Sequence, residues 1–417
     1  MGREAAGGQD LIRYQSNDIC FCCGSSDLLV YFDLGMTPLA NSYPLEPGAT
    51  EQYPLRVAVC KNCFHSQLCE SVNPDMLYRE YLYVSGTSNT LREYFRWFVG
   101  FVEGRFDRGG HNHSVLEIAC NDGSLLEVFR DRGWSVKGID PALNLRAITE
   151  SKQLDVLADY WNDETAAKIN CLYDVIVAQN VLAHLPYPKR FLELCCSVLK
   201  EDGIIYIQTS QADMVDKLEF DTIYHEHHSF FSANSMRILA EQAGLKVVNV
   251  SKVPVHGTSY LFSLGRADGH GASLYSLIEE ERQNGRYDLN TYTNFSQCAD
   301  KYVNDFLNVI MAHREEGRRI IGYGAAAKGS TFSSYSKLKV DYIVDDNTLK
   351  WEHFTPDGTT RIFGSASLAS EVGAVTVVIF AWNFFEEIAS RIDQIISAEY
   401  EDRDFQYITY FPELKLT

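Results

Sequence analysis

Long apolar runs are missing from this chain: no stretch approaches the roughly 20 consecutive apolar positions that a membrane-spanning helix needs. Basic residues are also scarce. Lys and Arg number 37 against 56 Asp and Glu, giving a formal net charge of -19. That charge repels nucleic-acid backbones and anionic membranes, and argues against both as partners. A small phosphate-bearing molecule stays admissible, because backbone N–H groups at a helix start act locally. Low-complexity tracts and internal repeats are absent, so an ordinary globular protein is expected. Residues Met1 to Asp10 are polar and Gly-rich without the apolar core of a signal peptide, which reads as a short flexible leader. The expected location is the reducing cytoplasm, where the eleven cysteines would serve as ligands or core residues rather than disulfides.

At 417 residues, two or three domains are expected. Up to about Glu70 the chain carries cysteine pairs, turn residues and prolines. A Tyr-rich stretch and an amphipathic segment from Leu91 to Phe106 follow. From Ser114 apolar strands alternate with helical spacing: Val115–Cys120, Leu125–Arg132, Val136–Asp140, Val175–Gln179, Pro188–Leu199 and Ile204–Gln208. Val247–Val255 and Tyr260–Leu264 look like a closing pair. After a helical stretch from about Ser273 to Glu316, broken near Gly285, a second alternating unit begins with Arg318–Tyr323, Lys339–Val344, Val375–Ala381 and Tyr407–Phe411. Such alternation predicts parallel sheets covered on both faces.

Cys20-Phe-Cys-Cys23-Gly24 and Cys60-Lys-Asn-Cys63 form two knuckles whose outer cysteines are two residues apart. Four thiolates presented in this way suit a tetrahedral structural zinc. Cys22 is surplus, and His65 stands near enough in sequence to compete as a ligand. Buried apolar thiols are the plainer reading for Cys171, Cys195 and Cys196.

The run Glu117-Ile-Ala119-Cys-Asn121-Asp122-Gly123 ends a strand and opens a helix, and Asp140 ends the next strand. A nucleoside cofactor is expected there, with the acid near ribose hydroxyls. The loop is acidic and lacks G-x-G-x-x-G, which disfavours a pyrophosphate and suits a cationic sulfonium with an amino-acid tail, although NAD enzymes share the topology. Asn180-Val-Leu-Ala-His184 follows the fourth strand and faces the same crevice. The densest constellation is Asp221-Thr-Ile-Tyr224-His-Glu226-His227-His-Ser229. So many polar tips are costly in a core; a solvated loop or a metal site are the rival readings. Removing a proton from carbon next to a ketone needs a base near neutral pKa and donors for the enolate oxygen, and these residue types supply both.

Taken in order, these motifs resemble the sugar C-methyltransferases that act on nucleotide-linked 4-keto deoxysugars. The likeness also includes Pro38-Leu-Ala-Asn41, Tyr53-Pro-Leu55, His65-Ser-Gln-Leu68, Tyr81-Leu-Tyr83-Val-Ser-Gly-Thr-Ser88, His256-Gly-Thr-Ser259, Gly322-Tyr-Gly-Ala-Ala-Ala-Lys-Gly329, Asp345-Asp-Asn347 and Trp382-Asn383. It departs from the family pattern at Lys350-Trp-Glu-His353 and Arg361-Ile-Phe363. The resemblance implies an α/β protein: a zinc-binding module (1–75), a central Rossmann-like S-adenosylmethionine-dependent methyltransferase domain (76–268) and a second Rossmann-like α/β domain holding the nucleotide sugar (269–417).

It further implies His227 as general base, Glu226 as its support, Tyr224 and His184 as enolate stabilisers, and Tyr83 closing over the substrate. Glu117, Ala119, Asn121, Asp122, Gly123, Asp140 and Asn180 would bind S-adenosylmethionine. Tyr81, His256, Ser259, Tyr323, Gly324, Lys328, Asp345, Trp382 and Asn383 would bind a dTDP- or GDP-linked keto sugar, methylated at C3 or, as in some relatives, C5. Cys20, Cys23, Cys60 and Cys63 would bind zinc. Without the resemblance, the Gly322 loop suggests an NAD-dependent oxidoreductase, and the knuckles alone a zinc-ribbon interaction protein. The oligomeric state stays open, and a monomer is compatible.

Overall fold

Period-two alternation shapes the N-terminal strands: in β3 (Tyr53–Cys60) Tyr53, Leu55 and Val57 are buried while Arg56 faces water. Counting in chain order, β1 (Tyr14–Ser16) pairs with β5 (Glu70–Val72), while β2 (Leu28–Thr37), β3 and β4 (Ser66–Leu68) form an antiparallel sheet. The Cys60–Cys63 knuckle is the turn between β3 and β4. The structure, a computed structural model, describes residues 13–78, 86, 89–106, 113–210, 214–255, 257–396 and 403–417. Among them no helix is long and apolar enough to cross a membrane.

The central unit follows the Asn89–Glu103 helix. Strands β6 (Ser114–Ile118), β7 (Ser135–Ile139), β8 (Val156–Leu157), β9 (Tyr173–Gln179) and β10 (Leu199–Thr209) are parallel. The apolar runs of β9 and β10 are buried nearly throughout, as expected where helices cover both faces. One short strand, β11 (Ser229–Phe230), leaves this sheet and pairs with β4 of the N-terminal unit. The antiparallel pair β12 (Lys246–Val253) and β13 (Ser259–Gly265) closes the order β12-β13-β10-β9-β6-β7-β8. Strand order reverses between β6 and β9, which opens a crevice at their carboxyl ends.

The helical stretch is three helices, Ala272–Gln283, Leu289–Thr293 and Phe295–Glu315, broken where Gly285 takes φ +80°. The C-terminal sheet then runs β16 (Ile362–Gly364), β15 (Tyr342–Asp345), β14 (Arg319–Tyr323), β17 (Gly373–Ile379), β18 (Arg403–Thr409), β19 (Lys415–Leu416), with only β19 antiparallel. Both Rossmann-like units close their first loop in the same way. Asp140, just after β7, accepts from the N–H groups of Asn121 (2.7 Å) and Ala142 (2.8 Å). Asp345, at the end of β15, accepts from those of Ala325 (2.7 Å) and Asn347 (2.7 Å).

Candidate active site

The sulfurs of Cys20, Cys23, Cys60 and Cys63 all lie within 4.8 Å of one another. The Cys20–Cys63 and Cys23–Cys60 separations are 3.5 Å. Tetrahedral zinc with bonds of about 2.3 Å needs sulfurs about 3.8 Å apart, so the set fits zinc. Gly24 closes the first knuckle at φ +73°. The rival ligand is not in this group: His65 places Nε2 3.2 Å from Ser229 Oγ and packs against Phe231. Cys22 is buried and outside the four-sulfur group.

A cavity of about 220 Å³ opens at the carboxyl ends of β6, β7 and β9. Glu117, Ala119, Asn121, Asp122, Asp140 and Asn180 all line it. Ala119, Asn121 and Asn180 hold φ of +56°, +52° and +53°, a left-handed conformation that non-glycine residues keep where a site demands it. Gly123 is the exception. It does not line the cavity; its φ of +73° serves the turn, and an added Cβ would meet Leu154 Cδ1 at 2.3 Å.

Glu117 supplies the fit test for a cationic cofactor. Its side chain is buried, Oε2 has no hydrogen-bond partner among the described residues, and burial, then Asp122 and Asp140, push its carboxyl well above the ordinary range. An incoming ammonium or sulfonium removes that penalty, so binding expels a proton from Glu117 and affinity rises with pH. Glu117→Gln is expected to weaken S-adenosylmethionine binding by about 10–100-fold, the worth of a charged hydrogen bond, and to flatten the pH dependence. Calorimetric titration at several pH values checks both; unchanged affinity would remove Glu117 from the cofactor site.

The polar loop is folded around His227. Its Nδ1 lies 2.6 Å from the Thr222 carbonyl oxygen, so this nitrogen carries the proton and donates. Nε2 is then the lone-pair nitrogen, and the Tyr224 hydroxyl donates to it at 2.8 Å. His184, which lines the same cavity, packs edge-on to His227 with ring centroids 4.9 Å apart. Burial, followed by the neighbouring His184, holds His227 well below the usual imidazole range, and burial brings His184 down to about 4. Both rings are therefore neutral at physiological pH.

Other members of the loop are held by the N-terminal unit. Glu226 Oε1 accepts from Asn41 Nδ2 at 2.7 Å, and burial pushes its carboxyl up to about 7. His225 Nε2 donates to the Pro54 carbonyl oxygen at 3.2 Å, and Ser71 Oγ is 3.0 Å from His228 Nδ1. The Leu68 amide donates to the His228 carbonyl at 3.0 Å, just before β11 extends the zinc-knuckle sheet.

The C-terminal candidates divide. Trp382 and Lys328 meet the loop: the indole Nε1 donates to Asp221 Oδ2 at 2.7 Å, and Lys328 Nζ lies 4.1 Å from the indole centroid. Gly324 (φ +93°) lines a small cavity of about 40 Å³, and Asn383 is half-buried. Asp345 is engaged by the amides of Ala325 and Asn347. Tyr323 and Ser259 turn inward. The Tyr323 hydroxyl donates to Asp346 at 2.8 Å. Ser259 is buried, donates to the Val255 carbonyl at 2.6 Å and accepts from Gln208 at 2.5 Å. Gly322 and Gly329 make room for Phe380, which an added Cβ would meet at 2.5 and 2.6 Å, so they pack the sheet instead of cradling a dinucleotide. Tyr81, Tyr83 and His256 lie outside the described residues.

Comparisons with known proteins agree with this arrangement. A family described as C-methyltransferase C-terminal domain matches residues 254–412, one described as methyltransferase domain matches 91–250, and one described as zinc binding matches 20–78. The C-methyltransferase NovU of Streptomyces niveus is 28% identical over 418 residues, covering 97% of each chain. Over nearly its whole length the chain is similar to a C-methyltransferase. It is an S-adenosylmethionine-dependent methyltransferase with a structural zinc site, not an NAD-dependent oxidoreductase. A ubiquinone biosynthesis O-methyltransferase of Glaesserella parasuis is 35% identical over 104 residues, 23% of this chain and 44% of that one. A solved S-adenosylmethionine-dependent methyltransferase of Clostridium acetobutylicum aligns with 45% of this chain and 94% of its own at 12% identity and a TM-score of 0.34, a likeness too slight to carry weight.

Three residues of this C-methyltransferase's site escape sequence reasoning about roles. Thr222 acts through its carbonyl, which any residue possesses. Asn41 lies 185 positions before Glu226, and Asp221 161 positions before Trp382. Only the motifs Pro38–Asn41 and Asp221–Ser229 signal them, without saying that they meet partners from other units.

Proposed function

We propose that this methyltransferase transfers a methyl group to C3, or in second place C5, of a nucleotide-linked 4-keto-6-deoxy sugar, with His227 as the general base. The division would be a zinc module at 1–75, a methyltransferase domain at 76–268 and a nucleotide-sugar domain at 269–417, working in the cytoplasm. The observation that carries this reading is the tautomer of His227: Nδ1–H is tied to the Thr222 carbonyl, which leaves Nε2 basic beside a phenol and beside the ring that lines the cofactor cavity.

In the reaction, His227 Nε2 takes the proton from the carbon next to the ketone, and the C–H electron pair moves into the enolate. Once Nε2 holds that proton it no longer accepts from Tyr224, whose hydroxyl is then free to donate, with His184, to the enolate oxygen, where charge develops. Burial and the neighbouring His184 keep the imidazole unprotonated and place it below the near-neutral pKa expected from sequence, so its proton affinity rises only as the enolate's negative charge forms beside it. Bound S-adenosylmethionine supplies an electrophilic methyl carbon. Methylation of oxygen or nitrogen would need no such base, because those atoms already carry lone pairs.

Incubation with labelled methyl donor and a panel of dTDP- and GDP-linked 4-keto sugars tests the reading. The expected product carries label on a ring carbon adjacent to the former ketone. Label on oxygen, or on no member of the panel, would refute it.

A further inference from the structure

The Asp221 carboxylate has no part in the chemistry above, yet it is wholly buried within the segment that carries the base. Burial raises its pKa, opposed first by the charge of Lys328 and then by the Trp382 hydrogen bond. A buried carboxylate costs stability unless it is paired, so its presence asks for a reason. It lies one residue before Thr222, whose carbonyl sets the tautomer of His227.

Its partner Trp382 comes from the C-terminal unit and carries Lys328 over its ring face. The ring edge abuts Gly257, where an added Cβ would stand 3.0 Å from Trp382 Cη2 and 3.8 Å from Lys328 Nζ; Gly257 also has φ +93°. A second stitch joins the same pieces: Thr331 Oγ1, in the Ala327–Ser336 helix that begins with Lys328's turn, donates to the Ile223 carbonyl at 3.1 Å. Among the described residues, the Asp221–Trp382 and Thr331–Ile223 bonds thus tie residues 221–223 of the base loop to the C-terminal unit.

We propose that Asp221 is a positioning residue that acts through Trp382 to fix where Lys328 stands relative to the base loop, so that an anionic group held by the C-terminal unit aligns the sugar ring with His227. This rests on the reading of His227 as base. It assigns Asp221 and Trp382 to alignment between units, and contact with the reacting atoms to neither.

The test compares Asp221→Ala, Asp221→Asn, Trp382→Phe and the double variant Asp221→Ala/Trp382→Phe, with kcat, KM for the nucleotide sugar and solvent-deuterium exchange into the sugar as readouts. Asp221→Ala and Trp382→Phe are each expected to raise KM and slow exchange about tenfold, the worth of one buried hydrogen bond. The double variant should be no worse than either single one. Asp221→Asn keeps an acceptor for the indole and should recover part of the loss; should Asp221→Ala not fold, Asp221→Asn and Trp382→Phe carry the test. Multiplicative losses in the double variant, or wild-type kcat, KM and exchange in folded Asp221→Asn and Trp382→Phe proteins, would overturn the proposal. Absence of exchange in the wild-type protein would instead overturn the role of His227.

Discussion

Replacing His227 by Asn is expected to lower turnover by about 10²–10⁴-fold, the usual worth of a positioned general base. Asn is the informative substitution. Its side-chain amide can still donate to the Thr222 carbonyl, as Nδ1 does now at 2.6 Å, but it has no basic nitrogen at the position of Nε2. Zinc content and affinity for S-adenosylmethionine should stay at wild-type values, because neither the four sulfurs nor Glu117 touches this ring. Single-turnover kinetics with metal analysis and calorimetry separates these effects. Turnover within threefold of wild type would remove the base from position 227.

Stripping the zinc is expected to abolish turnover while S-adenosylmethionine binding falls far less. The reasoning runs through one hairpin. Cys60 and Cys63 hold the turn between β3 and β4, β4 pairs with β11, and β11 begins at Ser229 directly after His227 and His228. Structural zinc in small modules is worth about 10–16 kcal/mol of folding energy, so its loss frees the turn and then the strand that anchors the base loop. All seven strands of the central sheet, β6 to β10, β12 and β13, lie outside this chain of contacts. Chelation followed by separate assays of turnover and cofactor binding tests this, and Cys60→Ser should reproduce it. Metal-free protein that still turns over would sever the link between the zinc hairpin and the base.

Much of the scaffold is legible in the sequence because strands covered on both faces appear as unbroken apolar runs. Val175–Gln179 and Val375–Ala381 are clear for that reason, although the second strand ends at Ile379, and Gly285 marks its helix break through a backbone angle that glycine takes freely. Short strands are not legible: β8 has two residues and β16 three, and their pairing comes from the sheet edge they meet. At the site, Tyr224 and His227 are three residues apart in one turn, so their contact follows from local spacing. The meeting of His184 with His227 depends on two loops converging at one sheet end. Asn41 reaching Glu226, and Trp382 reaching Asp221, depend on how whole units dock. Inward rotation of Ser259 and Tyr323 has a simple cause: side chains alternate along a strand, and a motif string does not say which face each residue takes.

The most direct test is hydrogen exchange at the sugar ring. Wild-type protein, incubated in deuterated water with S-adenosylhomocysteine and a dTDP- or GDP-linked 4-keto-6-deoxy sugar, should place deuterium on a single carbon adjacent to the ketone, and His227→Asn should place none. Exchange by the His227→Asn protein at the wild-type rate, or none by the wild-type protein on a sugar it methylates, would contradict an enolate formed by His227.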